Sequence, residues 1–396
     1  MGLAKFSEKY VINKLNNIKY GNLKLINYDG KVYHFGDLES TLCADIKINN
    51  QKFYLNIILG GSSALGEAYM NKDFYTSNLT DFIELSARNI KTIYSFSGSF
   101  KLQAFKNVIK KIFFSNTKTK SLKYISKHYD LGNKFFSKWL DKTLTYSSAI
   151  YEGQNDDLIS AQKNKYEKLI KLLNIRNGNK VLEIGCGWGG FSEYLAKKHD
   201  VIIDCITISK RQFDYTKKKM FENGLNNKVN VMFLDYRDLT NKYDRVASIE
   251  MIEAVGERYL NDYFKTIKTS LNSDGTAAIQ GITIKDDLFE RYRNNEDFIQ
   301  KYIFPGGFLP SQKLMIQLIK KNQLNLETIN SYSDDYAKTL SIWRKNFLNS
   351  WQQIIPMGFD DTFKKMWEFY LSYCEAGFKS KNLDLIQFSM SNRQSS

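Results

Sequence analysis

A chain of 396 residues exceeds the usual size of a single core, so two domains are expected, and a hydrophobic content of 43% is enough to fill both. No run approaches the ~18 apolar residues of a membrane span, the opening "MGLAKFSEKYVINKLNN" has no apolar block before a cleavage site, and the scattered Cys43, Cys186, Cys205 and Cys374 with three histidines lack metal-ligand spacing. These features predict a cytoplasmic protein without a metal site, while 57 basic against 42 acidic residues, a net +15, favour an anionic partner: nucleic acid, an anionic membrane surface or an acidic metabolite. Near an anionic leaflet each basic residue contributes roughly 1 kcal/mol, and a merely lysine-rich solvated surface is the plain alternative.

Residues 1–110 mix strand-like runs, "NLKLINYDGKVYHFG" and "ADIKINNQKFYLNIILGG", with a helical pattern in "NLTDFIELSARNIKTIYSF". This predicts a small α+β domain over 1–115. The polar, basic "SNTKTKS" at 115–121 then marks a boundary, with the second domain over 122–396. From residue 165 the helix "KYEKLIKLLNI" leads into strands "KVLEIG", "VIIDCITI", "VNVMFLD", "RVASIEM" and "TAAIQGITI", separated for the most part by amphipathic helices. Such alternation predicts an α/β fold with parallel strands and helices on both faces, whose ligands bind at the carboxyl ends of the strands.

"VLEIGCGWGGF" (181–191) is a strand, a turn carrying Gly185, Gly187, Gly189 and Gly190, and then a helix. Glycine allows a tight turn and close backbone approach, and the helix start offers N–H groups to a ligand. Glu183 before the turn suits a ligand with an ammonium group and would repel a pyrophosphate. Asp235, ending the third strand, can accept from an adenine amino group. A dinucleotide enzyme would more typically end its second strand on an acid; here Thr207, Ser209 and Gln212 offer neutral polar contacts. These features favour S-adenosylmethionine (SAM) over a nicotinamide cofactor, with a purely structural turn as the remaining alternative.

"HYDLGNKFFSKWLDKTLTYSSAIYEG" (128–153) interleaves aromatics with Asp, Asn and Ser, and aromatic faces stabilise a sulfonium by up to ~2 kcal/mol. Tyr146 and Ser147 are therefore candidate cofactor contacts, aromatic core packing being the alternative. "YRNNEDFIQKYIFPGGFLPS" after the fifth strand is too apolar for a plain loop and suits a lid or wall for an apolar substrate, or else a buried helix-turn. In "VASIEMIEAVG", Glu250 ends a strand, where a structural role is expected and a cofactor-side contact is the alternative.

Together "HYDLGNKFF", "LTYSSAIYEG", "VLEIGCGWGGF", "TISKRQ", "DYRD", "EMIEAVGERY", "DFIQKYIFPGG", "YAKTL" and "MWEFYLSYCEAGF" resemble, in order and spacing, the cyclopropane-fatty-acyl-phospholipid synthase family, which includes the mycolic acid cyclopropane synthases. The resemblance covers about residues 122–390, and "GGSSALGEAYMNKDFYTSNLTDFIELSARN" looks like the family's accessory domain. It implies a class I SAM-dependent methyltransferase fold, Rossmann-like with a mostly parallel seven-stranded sheet, joined to a small N-terminal α+β domain. It also implies attack of a cis double bond of an unsaturated phospholipid acyl chain on the SAM methyl group, then proton loss that closes a cyclopropane, with bound bicarbonate as the proton acceptor. Tyr146, Ser147, the 185–190 glycines, Thr207 to Gln212, Asp235 and Tyr236 would hold SAM. Glu253, the Ile282 main-chain N–H and the Tyr336 hydroxyl would hold bicarbonate. Cys374 matches a cysteine counted among the family's active-site residues, although methyl transfer needs no thiol and its helical, aromatic setting suits an inert one.

Two positions depart from many members: Ser148 stands for a cysteine and Gln280 for a histidine, both in the bicarbonate site. Each can still donate a hydrogen bond to an anion, but the proton role of histidine is lost. The expectation is therefore a peripheral enzyme on the inner face of the membrane that cyclopropanates phospholipid acyl chains. Its rivals are acyl methylation without ring closure, giving a methyl-branched or methylene product, and a lipid-binding protein that has lost catalysis. No basic-aromatic RNA-binding motif supports a nucleic-acid partner. A homodimer is within what the resemblance implies.

Overall fold

In the computed structural model, which describes residues 3–94, 131–153 and 156–392, alternating buried and exposed side chains mark the first strands. β1 (Asn22–Ile26), β2 (Val32–Gly36), β3 (Cys43–Ile48) and β4 (Phe74–Tyr75) form a sheet in the order β2-β1-β3-β4, with β1 antiparallel to β2 and parallel to β3. The run "KFYLNIILGG", read as strand-like, is instead the start of the helix Lys52–Met70. Its apolar residues continue past the glycine pair into "SSALGEAYM", and the helix kinks at Gly61, whose φ of 54° and ψ of −132° suit glycine.

This N-terminal unit also takes in Glu290–Pro305 and Leu340–Asn382, two segments that a single cut in the sequence assigns to the second domain. The expected boundary at 115–121 lies outside the described residues. Within the unit, Phe298 is fully buried and its ring packs on Phe369 at 4.5 Å between centroids. Gly66 makes that fit possible, since a Cβ there would stand 2.2 Å from the Phe298 ring. Part of the segment foreseen as a lid or wall is thus core: Ile299–Ile303 is a π-helical turn following Phe298.

The second unit comprises the described residues of 131–289 with Gly306–Thr339 and 383–392. Its strands are β5 (Lys180–Ile184), β6 (Ile202–Thr207), β7 (Val229–Phe233), β8 (Tyr243–Ile249), β9 (Leu271–Ile284), β10 (Asn325–Ser331) and β11 (Leu383–Ser391). They form one sheet in the order β10-β11-β9-β8-β5-β6-β7. β9, β8, β5, β6 and β7 pair in parallel, and β11 inserts antiparallel between β9 and β10. This is the mostly parallel seven-stranded sheet of the class I SAM-dependent methyltransferase fold.

β5 is buried along most of its length because helices cover the sheet; Leu169, Leu173, Phe191 and Leu195 pack against Val181, Ile203 and Ala247 in one core. The chain runs β5 to β6 to β7 on one side, then returns to β8 on the other side of β5. That reversal opens a crevice at the carboxyl ends of β5 and β8, where such sheets take their ligands. Ile184 pairs with Ser248, so the glycine turn and Glu250 emerge side by side at that edge. Among the described residues no helix is long and apolar enough to cross a membrane.

Candidate active site

The glycine turn follows β5 directly. Gly185, Gly187 and Gly189 have φ of 81°, 53° and 74°, left-handed values that favour glycine. A Cβ on Gly185 would reach Met251 Cγ at 2.6 Å and one on Gly189 would reach Thr216 Cγ2 at 2.5 Å, while one on Gly187 would meet nothing within 4 Å. The loop is thus packed against the protein at its ends and open at its centre. Glu183, buried beneath it, accepts from the Ser192 hydroxyl, and burial pushes its carboxyl up to about 7.

The other predicted cofactor contacts lie around this turn with local duties of their own. Ser209 caps the helix Lys210–Glu222 by accepting from Gln212 N, and the Thr207 hydroxyl donates to Gln212 Oε1 at 3.0 Å, so the three form one buried polar turn after β6. Asp235, after β7, is engaged by its neighbour: Arg237 donates to its two carboxylate oxygens at 2.8 and 2.6 Å. Tyr236 packs edge-on against Tyr263. Tyr146 sits among Phe136 and Trp139, and Ser147 Oγ accepts from the fully buried Lys165 at 2.7 Å.

Beyond β8 the chain places two carboxylates on adjoining positions of the edge. Glu250 has φ of 48°, a strained conformation for a side-chain-bearing residue, held by its N–H donating to Gln280 O at 2.8 Å. Three donors converge on its carboxylate: Ser148 N–H at 2.8 Å and Gln280 Nε2 at 2.7 Å on Oε1, and the Tyr336 hydroxyl at 2.6 Å on Oε2. Gln280 is aimed by Gln387 of β11, which donates to its amide oxygen at 2.9 Å. Tyr336 is aimed by the first turns of the helix Ser333–Asn349, where Asp335 accepts from Tyr151 N and Thr339 Oγ1 accepts from Ala149 N. Burial raises the Glu250 carboxyl above its ordinary value, opposed by the Tyr336 hydroxyl, the charge of Lys165, Gln280 and the Ser148 N–H.

Glu253, in the short helix Ile252–Val255, accepts from the Ile282 main-chain N–H through Oε1 at 2.6 Å, and among the described residues its enclosed Oε2 has no hydrogen-bond partner. Gly281 makes this approach possible, because a Cβ there would meet Ile252 Cγ2 at 2.8 Å. Burial and then the charge of Glu250 push the Glu253 carboxyl up to about 8. Phe308, buried, donates its main-chain N–H to Glu253 O at 2.8 Å.

These contacts show where the residues expected around bicarbonate lie. Ser148, Gln280 and Tyr336 do come together, but around Glu250 rather than Glu253, and the Ile282 N–H is taken by Glu253. The Ser148 hydroxyl, expected to face the anion, donates to Ala149 O at 2.9 Å, and only its main-chain N–H points to a carboxylate. In this structure those donors are met by protein carboxylates. Cys374 lies on the helix Asp361–Lys379 of the N-terminal unit, and burial with the charge of Asp297 pushes its thiol far up, out of the nucleophilic range.

One participant escapes sequence reasoning. Lys165 was missed altogether, although the signal was present: it falls on the stripe Ala161, Leu169, Leu173, all fully buried, where a lysine requires a partner. Burial pulls its amine down to about 7, against the pull of Glu250, Asp141 and Glu183.

A Rossmann-like sheet with an open glycine turn and an enclosed carboxylate centre at its carboxyl edge defines a class I SAM-dependent methyltransferase. The mycolic acid cyclopropane synthetase family matches residues 116–388, and this chain belongs to that family, SAM-dependent enzymes that act on fatty acyl chains. It is 32% identical over 348 residues, 87% of each chain, to the cyclopropane-fatty-acyl-phospholipid synthase of Escherichia coli K12. It is also 32% identical over 338 residues to the tuberculostearic acid methyltransferase UfaA1 of Mycobacterium tuberculosis, covering 83% of this chain and 79% of that one. Among solved structures it resembles mycolic acid cyclopropane synthase CmaA1 complexed with SAH and CTAB, with a TM-score of 0.65 and 26% identity over 68% of this chain and 98% of that one. The residues present fit SAM: the glycine turn leaves an open cradle at Gly187 that a side chain would fill.

Proposed function

We propose that this enzyme methylates the cis double bond of unsaturated acyl chains in membrane phospholipids and closes a cyclopropane ring. The observation that carries the reading is the enclosed carboxylate centre, Glu250 with Glu253, at the same sheet edge as the glycine turn. Methyl transfer to an amine or hydroxyl leaves an acidic heteroatom proton that water removes readily. Transfer to an alkene leaves a cation whose C–H proton must be taken inside a dry site before water adds. The likeness to the Escherichia coli synthase supports phospholipid acyl chains as acceptor.

SAM, when bound, supplies an electrophilic methyl group to the alkene carbon. The 185–190 turn, Glu183, Thr207 to Gln212, Asp235, Tyr236, Tyr146 and Ser147 are the residues that would hold it. The enclosed edge excludes water, and the carboxylate centre handles the proton. The surplus of +15 suits peripheral docking on anionic lipid at the inner face of the membrane.

A second reading is methyl transfer without ring closure, giving a branched or methylene product. It is favoured by Gln280, which cannot relay a proton, and by the likeness to UfaA1. Labelled SAM with vesicles of cis-unsaturated phospholipid tests both. A lipid heavier by one CH₂, without its alkene and with cyclopropyl proton signals, supports the ring; a methylene or branched product supports the second reading. Absence of label from every unsaturated lipid rejects both.

A further inference from the structure

We propose that Lys165 is a positioning residue for cofactor binding: through the Ser147 hydroxyl it recognises the carboxylate at the methionyl end of SAM. The proposal rests on the SAM-dependent class of the enzyme and not on the lipid product, so its test needs no acyl acceptor.

Gln162 and Lys165 lie one turn apart on the helix Leu158–Leu173, both fully buried on the same face, and both grip Ser147. Gln162 Nε2 donates to Ser147 O at 2.9 Å, and Lys165 Nζ donates to Ser147 Oγ at 2.7 Å. An ammonium has donors and no acceptor, so the Ser147 hydroxyl accepts from it and directs its own proton elsewhere. Ser147 is only 6% exposed, and among the described residues nothing accepts that proton. A buried donor backed by a positive charge suits an anionic acceptor.

The place of Ser147 in the fold says which part of the cofactor that acceptor is. Thr145, two residues earlier, stands beside the glycine turn: a Cβ on Gly190 would fall 2.9 Å from Thr145 Oγ1. Ser148, the next residue, donates its N–H to Glu250 just after β8. Ser147 thus lies where the ends of β5 and β8 meet. The Thr207 turn and Asp235, expected to hold the adenosine half, follow β6 and β7 on the other side of β5. What remains for Ser147 is the amino-acid half, whose carboxylate is the anionic group of SAM.

Lys165 is also set to respond to that carboxylate. Burial holds its amine down to about 7, opposed by the charges of Glu250, Asp141 and Glu183, and its Nζ stands 4.8 Å from the centre of the Tyr166 ring. A further negative charge brought to Ser147 raises it. Above about pH 7, binding therefore draws a proton from solvent onto Nζ, and affinity falls as pH rises.

The test is calorimetry of the full chain with three probes: SAM, decarboxylated SAM, which lacks only the carboxylate, and 5′-methylthioadenosine, which lacks the whole amino-acid end. The wild type is compared with Lys165→Met and Ser147→Ala. The wild type is expected to prefer SAM over its decarboxylated form by roughly tenfold or more, the scale of a hydrogen bond to a charged group, and each variant to lose most of that preference. All three proteins should bind 5′-methylthioadenosine equally well. Repeated above about pH 7 in buffers of different ionisation enthalpy, SAM binding should take up a proton in the wild type that Lys165→Met does not take up, the amine of the ligand contributing equally to both. A preference for SAM that survives in Lys165→Met overturns the proposal, because the carboxylate is then read elsewhere. A uniform loss of affinity for all three probes overturns it too, because Lys165 and Ser147 then serve only the fold. Ser147→Ala leaves Lys165 in place, so the preference is decided even where Lys165→Met does not fold.

Discussion

Tyr336 donates its hydroxyl proton to Glu250 Oε2 over 2.6 Å, across 86 positions of sequence. A hydrogen bond to a charged group contributes about 1.5–3 kcal/mol, and 1.36 kcal/mol corresponds to one pKa unit. Tyr336→Phe removes a donor that favours the ionised form, so the Glu250 carboxyl becomes harder to ionise. The acidic limb of the kcat profile should move to higher pH, with activity at neutral pH falling and recovering in more alkaline buffer. SAM affinity should not change. A uniform loss at every pH would show that Tyr336 acts only through packing.

Glu253 makes the fold itself sensitive to pH. Its carboxyl rises from 4.5 to about 8 on folding, so the native state binds the extra proton between those values. Stability from this group is full below about pH 4.5 and is lost as pH rises through about 8. Glu183, raised to about 7, adds a slope of the same sign over a narrower window. Glu253→Gln keeps an acceptor for the Ile282 N–H without the ionisation. Melting temperatures measured from about pH 5 to 9 should decline less steeply in the variant, with the two curves crossing in its favour at the alkaline end. Parallel curves would place the proton elsewhere.

Lys165 presents the opposite sign. Burial pulls its amine from 10.5 to about 7, so the unfolded chain binds more protons between those values and this group's contribution to stability rises with pH across them. Lys165→Met, an apolar side chain of similar length, should flatten that alkaline rise. It also deprives Ser147 Oγ of its donor and Glu250 of a nearby positive charge, so turnover should fall about tenfold below pH 7, where the wild-type lysine is charged. Retained turnover there, in a folded variant, would remove Lys165 from the catalytic machinery.

The parts of this protein that repeat a period could be read from its sequence. "VLEIGCGWGGF" announced β5, its turn and the next helix, because a strand and a helix have different hydrophobic periods and glycine marks the break. The family resemblance, not any period, brought Ser148, Gln280, Glu253 and Tyr336 into one neighbourhood. What it could not reveal was which carboxylate the donors choose. Glu250 and Glu253 are three residues apart, and the backbone at Glu250, turned to φ of 48°, decides which one faces Tyr336 and Gln280. That turn leaves no periodic signature. The strand-like reading of "KFYLNIILGG" failed for a related reason: a short apolar run has no period of its own, and its continuation beyond Gly61 made it a helix.

The N-terminal unit offers a test that does not involve the active site. Gly66 packs against Phe298, and a Cβ would fall 2.2 Å from that ring and 3.0 Å from Phe369 Cε1. Phe298 is fully buried between Phe369 and Tyr302, so it cannot turn aside without displacing them. Overpacking of this kind costs about 1–3 kcal/mol, partly offset by the better helix propensity of alanine. Gly66→Ala should therefore lower the melting temperature of the N-terminal unit by several degrees. Phe298→Leu in the same chain gives up aromatic volume at the point of clash and should recover part of that loss. Because the pair shares one contact, the double variant should be more stable than the sum of the single changes predicts, and strict additivity in denaturant melts would show that Gly66 is not what positions Phe298.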